Sequence, residues 1–229
     1  MFHLPKPACT TALAAGLAAL LLCIQPAAAA TEPEKHVSMA EKTLSNFLRD
    51  PNMDWFQGNL HRARGLIVVP KVVKAGFIFG GSGGRAVYVA RDESGRWVGP
   101  AFYTLATASV GFQAGVEVSE VVILVMTDRG ANSLLATNFK LGGDASIAAG
   151  PVGVGTKASV QEDFIAFSRS KGLYGGLNLD GTAVSTADDW NKAYYKREVL
   201  PPDILIRRSV HNSQANKLLK LVADAARPK

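Results

Sequence analysis

Gly80-Gly81-Ser82-Gly83-Gly84 matches G-x-S-x-G, the spacing that holds a nucleophilic serine on a sharp strand-to-helix turn. Such a turn needs a helix directly after the serine, whereas Arg85 to Ala90 reads as a strand leading into a hairpin. The pentapeptide is therefore read as a flexible turn, and a serine hydrolase using Ser82 is the least supported of the functional classes. Histidines to activate a serine are sparse: His36 and His61 fall on predicted N-terminal helices and His211 precedes the last helix. All three are expected at the surface, and none has the H-x-x-x-H spacing of a metal site.

Glu117 and Glu120, and Glu162 with Asp163, are carboxylates near enough in sequence to be weighed for acid–base work. Neighbouring strand residues face opposite ways, so these are expected to be solvated charges. Gly150-Pro151-Val152-Gly153-Val154-Gly155 lacks both the Lys-Ser/Thr pair of a phosphate loop and the helix of a dinucleotide fingerprint, and is read as a turn. No catalytic residue, metal site or cofactor is expected, and the chain is read as a non-enzyme.

The remaining chemistry is charge. Residues 61–100 hold seven basic and two acidic groups and residues 201–229 six and two, whereas residues 101–166 hold three and six. Two segments thus favour anionic partners. Arg62, Arg64, Lys71, Lys74 and Arg85 have few interleaved aromatics and no nucleic-acid motif, so phosphate headgroups fit them better than bases, and no nucleic-acid partner is expected.

The elements that must position these groups follow from periodicity. Residues 1–30 read as a secretory signal peptide: Lys6, an apolar run of 14 residues from Thr11 to Ile24, then Pro26 and Ala27 to Ala30. That run falls short of the ~20 residues of a membrane span. Acylation of Cys23 is disfavoured because Leu22, rather than a small residue, precedes it. Export is therefore expected, to the periplasm or cell envelope and peripheral to the membrane. Cys9 and Cys23 both lie in this segment, so residues 31–229 carry no thiol and fold on their core alone as a single domain.

Within residues 31–229 the helical N-terminal part spans 34–64. Val37, Ala40, Leu44, Phe47 and Leu48 give Glu34–Arg49 one apolar face, and a second helix is predicted from Met53 to about Arg64. A strand-rich part, 65–185, follows. Runs at Leu66–Val69, Ala75–Phe79, Arg85–Ala90, Ala101–Gln113 and Val121–Thr127 predict an antiparallel meander, with hairpin turns at Asp92–Gly95 and Asp180-Gly181. Asp128 is read as the cap of a short helix over Arg129–Ala136, and strands resume through Gly142–Ala149 and Phe164–Thr182. The C-terminal part, 186–226, returns to helix at Asp188–Tyr195 and after Asn212, with Pro201-Pro202 between as a break. Glycine recurs inside the strands, which favours a bent sheet. The fold class is α+β: a glycine-rich, strongly bent or barrel-like antiparallel sheet flanked by N- and C-terminal helices.

From Gly65 to Leu205 this pattern resembles the SYLF domain family. The residues that carry it are Gly65–Pro70 with Lys74-Ala75-Gly76, Trp97-Val98-Gly99-Pro100, Val110-Gly111-Phe112-Gln113-Ala114-Gly115, Ala149-Gly150-Pro151-Val152-Gly153, Phe167-Ser168-Arg169-Ser170-Lys171-Gly172-Leu173, and Asn191 with Tyr194-Tyr195. The resemblance implies a lipid-binding module. Eukaryotic members recognise phosphoinositides through basic residues and an N-terminal amphipathic helix, and also contact actin; bacterial members are exported. Lys71, Lys74, Arg85 and Lys171 are the candidate lipid-binding residues on electrostatic grounds. Export would put actin out of reach and make an anionic phospholipid membrane surface the expected partner. Glu34–Arg49 departs from the pattern, since residues 31–60 carry five acidic and three basic groups where a basic face is wanted. A protein-binding envelope component with an acidic partner is the alternative reading.

Overall fold

Residues 30–76, 79–110, 115–153, 161–170 and 179–228 are described by a computed structural model, in which Thr31–Lys229 forms one compact unit. The signal-like segment before Ala30, including Cys23, lies outside the described residues, as does Lys171.

The first helix, α1 (Glu32–Arg49), forms where the apolar spacing places it. Its start is set by Glu34, whose carboxylate accepts the Thr31 N–H at 2.7 Å. That bond holds Glu34 below the usual carboxylate range. The predicted second helix is broken into a 3-10 turn (Pro51–Met53), α2 (Asp54–Asn59) and a further 3-10 turn (Leu60–Arg62).

An eight-stranded sheet follows. Its strands are β1 (Gly65–Gly76), β2 (Phe79–Arg91), β3 (Trp97–Val110), β4 (Gly115–Val125), β5 (Asn138–Lys140), β6 (Ile147–Ala149), β7 (Phe164–Arg169) and β8 (Ala183–Thr186), in the order β5-β8-β3-β2-β1-β4-β7-β6. It curls strongly into a half-barrel with helices at both ends of the chain, an α+β fold. The pairings are antiparallel except β6 with β7, which is parallel and not part of the expected meander. The helix α3 (Asp128–Ser133) is capped by Thr127, whose hydroxyl accepts the Gly130 N–H at 3.0 Å, rather than by Asp128. After β8 come α4 (Asp188–Tyr195), α5 (Pro201–Leu205) and α6 (Asn216–Ala225). Pro201-Pro202 begins a helix rather than breaking one, because the first turn needs no N–H from proline.

The expected Leu66–Val69 run continues through Pro70 as far as Gly76 in β1 and so takes in the start of the expected Ala75–Phe79 run; Phe79 opens β2, and residues 77–78 lie outside the described residues. An extra residue bulges out of β1 between Val68 and Val72. The bulge drives the Lys71 carbonyl towards β2, where a Cβ on residue 84 would lie 2.5 Å from it, so only Gly84 fits. The G-G-S-G-G segment is accordingly strand rather than flexible turn: Ser82 pairs with Lys74 on one side and Thr107 on the other. The hairpin turns form as expected, Gly95 at φ +80° and Gly181 at φ +75°.

One face of the sheet packs on the helices. Val37, Ala40, Leu44 and Phe47 of α1 are buried against it, and Phe102 meets Trp190 and Tyr194 of α4 at 5.8 and 5.1 Å. Asn191, fully buried, accepts the Phe102 N–H at 3.0 Å and so occupies backbone hydrogen-bonding capacity that would otherwise be stranded in the core. On the other face the Tyr103 hydroxyl donates to the Leu134 carbonyl.

Candidate functional site

α1 crosses the sheet on a line set by two polar contacts. His36 Nε2 lies 2.8 Å from the Arg85 carbonyl on β2, and Thr43 donates to Glu120 on β4 at 2.9 Å. Beyond that line no described helix covers β1 to β4, and alternation splits this end into two unlike faces. On the helix side, Val118, Val73, Gly83 and Ala106 form one row and Val116, Ala75, Gly81 and Ala108 the next. Val116 is 73% exposed, Val118 42% and Val73 37%. On the reverse side the corresponding row is Glu117, Lys74, Ser82 and Thr107. Met39, 46% exposed, lies on the same stripe of α1 as His36 and Thr43 and adds apolar surface at the border.

Lys71, at the bulge, and Lys74 are both exposed at this end, and neither makes an ion pair among the described residues. Arg85 does not join them. It points under the helices, with Nη1 donating to Thr104 Oγ1 at 2.9 Å, Nη2 3.6 Å from Asp189, and its guanidinium 5.0 Å from the Trp190 ring centroid. Ser170, one residue before Lys171, donates to the Val118 carbonyl at 3.2 Å.

Three of the residues weighed for catalysis, His36, Glu120 and Asp163, are tied into the fold. His36 is buried, not at the surface, and sits edge-on to Trp190 at 5.1 Å; burial holds its imidazole below the usual value. Two of the carboxylates expected in solvent are tied into the fold. Glu120 takes Thr43, Asn46 and the Arg169 guanidinium, the last at 2.5 Å. Asp163 is buried and accepts from Arg129, Thr127 and both the N–H and hydroxyl of Ser146. The Arg129 hydrogen bond is the main reason its carboxyl is held far below the usual range. Ser82 lies mid-strand with no following helix, so the context of a nucleophile elbow is missing. No described helix is long and apolar enough to cross a membrane.

The profile of the Ysc84 family, described as "Las17-binding protein actin regulator", matches residues 106–225. The chain belongs to this family, the SYLF family of the sequence reading. It is 30% identical over 166 residues to human SH3 domain-containing YSC84-like protein 1, covering 70% of this chain and 48% of that protein. With Protein YSC84 of Saccharomyces cerevisiae it shares 32% over 174 residues, 73% of this chain and 37% of the relative. LAS seventeen-binding protein 3 of the same yeast is 33% identical over 143 residues, 59% of this chain and 31% of the relative. The chain thus spans less than half the length of these relatives. The family description and the name of LAS seventeen-binding protein 3 are those of binding proteins.

Proposed function

We propose that this SYLF-family chain is a non-enzymatic module that binds anionic phospholipid at a membrane surface, working after export in the periplasm or cell envelope. The observation that carries the reading is the end of β1–β4 that no described helix covers, where Lys71 and Lys74 stand beside a face of Val73, Ala75, Val116 and Val118. Cations at an apolar edge suit the boundary between headgroups and acyl chains, where each basic residue contributes on the order of 1 kcal/mol. Lys171 completes the proposed basic set on charge alone. The family description supports a second reading, in which the same end meets a protein partner.

Flotation of the purified protein with neutral and anionic liposomes, at low and high salt, separates the two. Lipid binding requires selective, salt-sensitive flotation with anionic vesicles. Replacing Lys71 and Lys74 together by Gln removes about 2 kcal/mol, a drop of roughly 30-fold in apparent affinity. No flotation with any vesicle removes lipid as the ligand and leaves the protein partner.

A further inference from the structure

At the opposite end of β2 is a cleft of about 490 Å³, formed by Arg64, the hairpin between β2 and β3, α3 and the segment after α5. Its rim brings together the two segments in which basic residues are in excess, through Arg64, Arg91 and Arg96 from one and Arg208 from the other. Three of these arginines are answered by carboxylates: Arg64 by Asp128 at 3.0 Å, and Arg96 and Arg208 by Asp92 at 3.3 and 2.8 Å. Arg91 is not, among the described residues: its guanidinium donates to two carbonyls, those of His61 at 2.8 Å and Gly95 at 3.3 Å. With Glu93 included, four arginines face three carboxylates, so the lining carries one uncompensated positive charge.

Tyr88 lines the cleft at 1% exposure. The ring fits only because residue 65 is glycine; a Cβ there would lie 2.5 Å from the hydroxyl oxygen. Ala90, Ala131, Leu135, Leu205 and Ile206, the last 61% exposed, give the lining an apolar part beside the polar Ser94 and Asn132.

We propose that this cleft binds an amphiphilic monoanion, its single negative charge met by the arginine rim at Arg91 and its apolar body lying on Leu135 and Ile206. One excess charge matches a monoanion better than a phosphate dianion, and the apolar lining excludes a bare inorganic ion as the best ligand. A free fatty carboxylate and a phosphodiester lipid both present this chemistry. The site is independent of the membrane-facing end proposed above.

Calorimetric titration of the full protein with decanoate, dihexanoyl phosphatidylglycerol, decanol and inorganic phosphate tests it, each ligand below its aggregation threshold. Either amphiphilic anion should bind one to one, at least about tenfold tighter than decanol or phosphate, and which of the two binds identifies the source. Arg91→Gln and Ile206→Asp should each weaken binding about tenfold or more; Ile206 is exposed, so its variant keeps the fold. Lys71→Gln with Lys74→Gln should leave this titration unchanged, which separates its outcome from that of flotation. The proposal is overturned if neither anion binds, if decanol or phosphate binds as well, or if Ile206→Asp leaves binding intact.

Discussion

Arg85→Gln separates a residue that builds the fold from one that meets a ligand. Arg85 has basic neighbours in sequence, but its guanidinium is committed to Thr104, Asp189 and the Trp190 ring. A charged hydrogen bond contributes about 1.5–3 kcal/mol. The contact with Asp189 adds little, because the aspartate side chain is 67% exposed and the separation is 3.6 Å. A cation over a partly shielded tryptophan adds about 1 kcal/mol. These contributions share one side chain and do not sum, so Arg85→Gln should cost about 2–3 kcal/mol. For a domain of this size that corresponds to a fall in Tm of roughly 4–12 °C. Below its new Tm the variant should float with anionic liposomes as the parent does. Thermal unfolding and flotation, run on Arg85→Gln beside the Lys71→Gln, Lys74→Gln pair, give the comparison. A variant with unchanged Tm and flotation as weak as that of the lysine pair would place Arg85 at the ligand and refute this account of its role.

His36 and the bulge give two further tests. Burial lowers the His36 pKa in the folded state, so the unfolded chain takes up its proton first as pH falls; stability should decline from about pH 6.5 downward, and His36→Gln should flatten that slope in denaturant titrations. Gly84→Ala places a methyl 2.5 Å from the Lys71 carbonyl and should cost about 1–3 kcal/mol by displacing the bulge, whereas Gly58→Ala in α2, with nothing within 4 Å of the new Cβ, should stabilise by about 0.5–1 kcal/mol in the same assay.

Local signals in the sequence carry local structure. The apolar spacing of α1, the Asp188–Tyr195 bounds of α4 and the Asp92–Gly95 hairpin each depend on a few neighbouring residues, and each is found as read. What was not legible depends on distant partners. G-G-S-G-G reads as a turn by propensity but is held as strand by β1 and β3 on either side. His36 looks like a surface residue until α4 brings Trp190 over it, and Glu120 until α1 brings Thr43 and Asn46 to it. The arginine cleft lay between these extremes: the basic excess of both contributing segments was visible, but its convergence required the fold.

The end of the sheet that no described helix covers shows how one residue can decide what a surface does. Before the bulge, Leu66 and Val68 face the helices, and strict alternation would carry that side on through Val72 and Lys74. Lys74 would then stand among Val116 and Val118, and Val73 opposite Glu117 on the reverse. The extra residue between Val68 and Val72 shifts the parity, so that Val73 and Ala75 join the valines of β4 while Lys74 takes the register position opposite Glu117 on the other face. An amphipathic edge therefore exists only because β1 is bulged. Gly84, which accepts the displaced Lys71 carbonyl, belongs to that edge although it carries neither charge nor apolar side chain.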